Sequence, residues 1–146
     1  MFRILTAAAC TVGLGVSIAQ ADSHAVTYPY GGSFEDATFN IETAIVDRGL
    51  VVDWVSHVGE MLNRTAEVVG SDVVIFDQAD IFMFCSASLS RKMMEADPYN
   101  IAHCPYGVFA FEREGNVEVG YRVMPEGPMK EVEALLDAIA REAVEF

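Results

Sequence analysis

"YGVFAFEREGNVEVGYRV", residues 106–123, decides the fold class. YGVFAFE (106–112) is rich in aromatic and β-branched residues and reads as a strand. Glu114-Gly115-Asn116 supplies a hairpin turn. VEVGYRV (117–123) then alternates: Val117, Val119, Tyr121 and Val123 point one way, Glu118, Gly120 and Arg122 the other. Two strands joined by so short a turn run antiparallel.

Working upstream, IFMFCS (81–86) is a short apolar strand, and Ser88 to Asp97 is a short helix stopped by Pro98. Ile81 to Cys85 and Val108 to Phe111 are apolar at every position, the mark of strands buried on both faces. If long helices cover one face, something must cover the other. The candidates are the short helix 88–97, a second copy of the chain or a ligand. A homodimer is therefore expected.

Further upstream, AVTYPY (25–30) places Val26, Tyr28 and Tyr30 on one side, and Pro29 marks an edge strand or a strand end. Ser33 is an N-cap, with Asp36 three residues on. Phe34, Ala37, Thr38, Ile41, Ala44 and Ile45 follow at helical spacing until Gly49. LVVDWVSHV (50–58) reads as a strand and GEMLNRTAEVVG (59–70) as a helix. Downstream, Met129 to Val144 is an amphipathic helix whose apolar stripe is Val132, Leu135, Leu136, Ile139 and Ala143. Its carboxylates (Glu131, Glu133, Asp137, Glu142) lie off that stripe and read as a wet face. The order β-α-β-(α)-β-(α)-β-β-α predicts an α+β domain: a curved antiparallel β-sheet with the main helices on one face.

The chain begins MFRILTAAACTVGLGVSIAQADSH, with a short basic start at Arg3, an apolar run and a small-x-small site at Ala19-Gln20-Ala21. This predicts a signal peptide, residues 1–21, that is cleaved and takes Cys10 with it. A single domain, 22–146, remains in a soluble, periplasmic protein of a Gram-negative bacterium. It carries 8 basic against 22 acidic residues, a net charge of −14. Such a balance argues against nucleic acid and anionic membrane surfaces, and no further segment has the length of a membrane span.

HVGEMLNRTAEVVG, FMFCSASLSRKMMEADPYNIAHCPYGVFAFE and VEVGYRVMP together resemble the bacterial family catalogued as domain of unknown function 302. The resemblance covers roughly residues 25–146. It implies a small α+β domain, β-α-β(4)-α in outline, and no particular activity. Many relatives carry an asparagine-proline pair just after the position of Cys85, where this chain has Ser86-Ala87. Many also have leucine-proline-cysteine before the next strand, where this chain has Cys104-Pro105.

Chemistry is expected at one end of the sheet. Cys85 ends one strand and Cys104 precedes the next. If those strands are antiparallel neighbours, the sulfurs come within reach of each other. Three readings stand open. A structural disulfide would close a loop of about twenty residues and stabilise by about 3 kcal/mol. Two free thiols would act as small hydrophobes. A functional pair would be redox-active or would ligate a soft metal or haem. The metal reading draws on Cys85, His103, Cys104, Met83, Met93 and Met94, with Met124 near; thiolate, thioether and imidazole suit copper or a noncovalent haem iron. Methionines such as Met83, Met93 and Met94 more often fill a core than bind a metal. Tyr106, heading the strand after Cys104, joins the ligand-binding or redox candidates. Arg122 either pairs with Glu118 on a solvated face or grips an anion over the sheet. His24, beside the cleavage site, is expected to be disordered, and His57 has no evident partner.

No phosphate loop, nucleophile elbow, zinc spacing or C-x-x-C motif occurs in the chain. The expectation is a non-enzymatic ligand-binding or accessory module holding a small apolar or soft ligand, or a second subunit. The alternative is a periplasmic redox protein using the thiol pair or a metal or haem site.

Overall fold

The structure, a computed structural model, describes residues 20–21 and 24–146. The expected signal peptide lies outside them apart from Gln20–Ala21. The strands are β1 (Gln20–Ala21), β2 (Ala25–Tyr30), β3 (Val52–Ser56), β4 (Gln78–Phe84), β5 (Tyr106–Arg113) and β6 (Asn116–Arg122). The helices are α1 (Phe34–Val46), α2 (Val58–Thr65), α3 (Ala87–Ala96) and α4 (Lys130–Glu145). All strand pairs are antiparallel, in the order β1-β2-β6-β5-β4-β3. The sheet is open, five full strands with β1 as a two-residue edge piece, and is the α+β fold expected. Among the described residues no helix is long and apolar enough to cross a membrane.

Local chemistry sets the element ends. The β5–β6 hairpin turns on Glu114 and Gly115 alone, at φ 54° and 75°, with Arg113 opposite Asn116. Both central residues at positive φ match the right-handed twist of the flanking strands. Ser33 caps α1 by accepting from the Asp36 amide at 3.1 Å. Gly49, at φ 71°, turns the chain after α1.

Alternation then divides the sheet into two faces. On the inner face Tyr28, Phe82, Phe84, Val108, Ala110, Val119 and Tyr121 pack against Ile41 and Ile45 of α1 and Val132, Leu136 and Ile139 of α4. Asn40 ties the two helices together, donating to the Ala143 carbonyl and to the Tyr30 hydroxyl, both at 3.1 Å.

Within one chain β4 and β5 are fully buried on the inner face alone. Their outward residues Ile81, Met83, Phe109 and Phe111 are only half-buried. They partly cover each other. Ile81 lies across Gly107, and Phe109 lies across Gly120. Phe109 stacks on Phe111 with ring centroids 6.2 Å apart, and Phe76 leans on Phe111 at 5.2 Å. Helix α3 does not cover this face: its Met93 enters the inner core and its Lys92 pairs with Glu131 of α4 at 2.5 Å.

The helix expected over 59–70 is also shortened. It ends at Thr65, and a 3₁₀ turn (Glu67–Val69) leaves Val68 and Val69 exposed. The physical reason is its station. Helix α2 caps the edge of β4 beyond the end of β3, where a Cβ on Gly59 would lie 2.4 Å from the Ala79 amide nitrogen. Only Gly59 is fully buried in the helix, with Val58 and Leu62 half-buried, so little of it meets the core.

Candidate functional site

Strands β4 and β5 pair with Phe84 opposite Tyr106, so the residues just beyond, Cys85 and Cys104, meet at one rim. Their Sγ atoms are 3.3 Å apart, as two free thiols. The expected juxtaposition is therefore present as a contact. Cys85 is exposed and Cys104 half-buried behind it. The Cys104–Pro105 peptide is cis. Ser90 of α3 sits 3.8 Å from the Cys104 sulfur and donates to the Tyr106 hydroxyl at 3.2 Å. Tyr106 is 1% exposed, so it backs the thiols as an inner wall. The Cys85 thiol is pushed up to about 12 by partial burial of its sulfur, then by its contact with Cys104 and by the carboxylate of Asp53. Burial likewise raises Tyr106, against the hydrogen bond from Ser90.

On the outer face, next to this rim, lies a concavity of about 310 Å³. Ile81, Met83, Phe109 and Met124 give it an apolar lining; His103, Arg122 and His24 bring polar groups to it. Arg122 is exposed, and among the described residues no carboxylate pairs with it; the other arginines that form ion pairs are at Arg48, Arg91, Arg113 and Arg141. The reading of Arg122 as half of a surface pair with Glu118 is thus corrected. The His103 ring nitrogen Nδ1 is buried without a hydrogen-bond partner, the one such side-chain atom among the described residues. His24 is not loose: its carbonyl accepts from the Val123 amide at 3.0 Å, continuing the β2–β6 ladder. His57 has a partner after all, Asp80, at 2.8 Å on a different edge of the sheet.

The soft-ligand set is divided by the fold. Cys85 and Cys104 touch, and Met83 and His103 line the adjoining concavity. Met94 is half-buried on α3, while Met93 is 1% exposed in the inner core with Phe84 and Tyr106. Among the described residues no three His, Cys, Asp or Glu side chains cluster closely enough to hold a metal ion.

Sequence reasoning placed Met124 near this end but missed Ile81 and Phe109 as lining residues, and missed that Arg122, His103 and His24 share one concavity. A signal was present in the hairpin. Phe109 faces Gly120 across β5–β6, and an aromatic side chain opposite a glycine lies flat over it and leaves a depression beside it.

None of the curated proteins matches this chain. A solved structure of an uncharacterized conserved DUF302 protein from Bacillus stearothermophilus is similar in fold, with a TM-score of 0.60 at 15% identity over 85% of this chain and 95% of that one. The family model described as domain of unknown function DUF302 matches residues 24–144, from the first residue of the concavity to the last turn of α4. The chain belongs to the DUF302 family.

Proposed function

We propose that the domain is a non-enzymatic binding module whose outer sheet face takes a small apolar molecule with an anionic end, a carboxylate above all. The observation that carries this is Arg122. In a chain of net charge −13, a guanidinium without an ion pair stands at an apolar concavity beside an unpartnered histidine nitrogen. A pocket of this kind, apolar with a few convergent polar groups, is the usual form of a small-molecule site. The guanidinium would take the carboxylate by charge-assisted hydrogen bonds, and the aliphatic part would lie on Met83, Ile81 and Phe109. The N-terminal segment supports an exported, periplasmic setting, and the domain acts there as a carrier or accessory subunit.

The test is calorimetric titration with octanoate and with 1-octanol as its uncharged match. Octanoate is expected to bind more tightly, and Arg122→Gln to weaken it about ten- to a hundredfold while leaving octanol unchanged, since a charged hydrogen bond contributes about 1.5–3 kcal/mol. Equal affinity for acid and alcohol, or an indifferent Arg122→Gln variant, would sink the reading. So would light scattering showing a stable dimer that binds neither probe, because a second copy would then own the outer face.

A further inference from the structure

We infer that Cys85 and Cys104 form a reversible dithiol–disulfide site for small disulfides of the glutathione class, with Cys85 as the entry sulfur and Cys104 as the resolving one. The proposal stands on the sulfur contact of 3.3 Å and on the unequal access of the two thiols. It does not depend on the anion reading of the concavity.

The inner core closes without a bridge: Phe84 and Tyr106, which flank the thiols in register, are fully packed while both sulfurs are free. A cross-link here is therefore an addition to a finished fold. It would tie off residues 86–103, the excursion carrying α3 and the 3₁₀ turn Pro98–His103. Exposure of Cys85 leaves any such bridge open to attack by an outside thiolate, which is the mark of a labile bond.

The exchange balances in two steps. The Cys85 thiol loses its proton, and its sulfur attacks one sulfur of the small disulfide RSSR. A bond from Cys85 to SR forms, the old S–S bond breaks, and RS⁻ leaves to take up the proton as RSH. Cys104, already in contact behind, then loses its proton, attacks the Cys85 sulfur and expels the second RS⁻, which is protonated in turn. The protein is oxidised by two electrons, and one RSSR is reduced to two RSH. Excess RSH runs the sequence backwards. Partial burial of the sulfur, the contact with Cys104 and the carboxylate of Asp53 hold Cys85 protonated at neutral pH, so exchange is slow there and quickens with alkalinity.

Intact-mass measurement on the purified chain, with folding checked by circular dichroism, tests the order of events. Oxidised glutathione should convert the wild type to a form lighter by two hydrogens with no adduct, and reduced glutathione should reverse it. Cys104→Ser should accumulate one glutathione adduct per chain, on Cys85. Cys85→Ser should gain adduct at least tenfold more slowly. Two thiols that survive excess oxidised glutathione, a bridge that reduced glutathione leaves closed, or equal adduct rates on the two serine variants would each overturn the assignment.

Discussion

Asp137→Ala is expected to destabilise the domain by about 3 kcal/mol, measured as a shift in urea unfolding. Asp137 was expected on the wet side of α4, yet its Oδ1 accepts from the hydroxyls of both Tyr28 and Tyr121, the latter at 2.8 Å. Those tyrosines stand on β2 and β6 and are 2% and 3% exposed. Arg141, one turn on, donates to the other carboxylate oxygen at 2.7 Å and lies 4.8 Å over the Tyr28 ring. One carboxylate thus joins α4 to two strands. Truncating it leaves two hydroxyl donors facing the core without an acceptor, at about 1–3 kcal/mol each before any rearrangement. Asp137→Asn keeps an acceptor and should lose less than half as much.

The same group makes a pH signature. Burial pushes the Asp137 carboxyl up, but the hydrogen bonds from Tyr28, Arg141 and Tyr121 outweigh it and hold the group below its ordinary value of 3.8. A depressed carboxyl stabilises the fold fully above its unfolded value, and that contribution fades as pH falls through the lower folded value. The gap between wild type and Asp137→Ala should be constant from neutrality to about pH 5 and should narrow below 3.8. At the alkaline end the sign reverses. Burial and the bond to Asp137 push Tyr28 up to about 12, and burial raises Tyr121 as well. Their contribution is complete below the ordinary tyrosine value of 10 and is lost as pH climbs through the folded values. A wild-type curve flat between pH 10 and 12 would contradict this.

How far the sequence carries is visible in these residues. The hairpin, the Ser33 cap and the α4 stripe were legible because each is a local pattern with a local cause. The contact of Cys85 with Cys104 was legible because it needs one further fact, that β4 and β5 are antiparallel neighbours. The Tyr28–Tyr121–Asp137 junction was not, since its members are separated by 109 and 16 residues and nothing nearby marks Asp137 among the other acids of α4. Arg122 suffered the same limit. Its sequence neighbour Glu118 pointed to a surface pair, while its spatial neighbours His103 and His24 come from distant segments. The outer face was legible only in part, for another reason. The apolar run from Ile81 to Cys85 does imply two apolar surroundings, and within one chain part of the second is supplied by side chains lying over Gly107 and Gly120.

Phe84→Ala and Met83→Ala, adjacent on β4, are expected to separate the two faces of the sheet. Phe84 is fully buried and meets Tyr106 edge-on, with centroids 6.3 Å apart and planes at 72°. Its truncation opens a cavity in the inner core and should cost about 3–5 kcal/mol. That is a large part of the stability of a domain this size. Met83 is half-buried, so its truncation removes less area from a protected place and should cost about 1 kcal/mol. Binding should follow the opposite order. Met83 lines the concavity, so its loss should weaken octanoate severalfold and octanol equally, because the lost contact is with the aliphatic part. Phe84 has no place in that lining, so the folded fraction of Phe84→Ala should keep its affinity. Alternation forces this division, since a side chain moved one position along a strand changes faces. If both substitutions harmed binding in proportion to the stability they cost, the outer face would be a mere extension of the core, and the concavity would have no function separate from the fold.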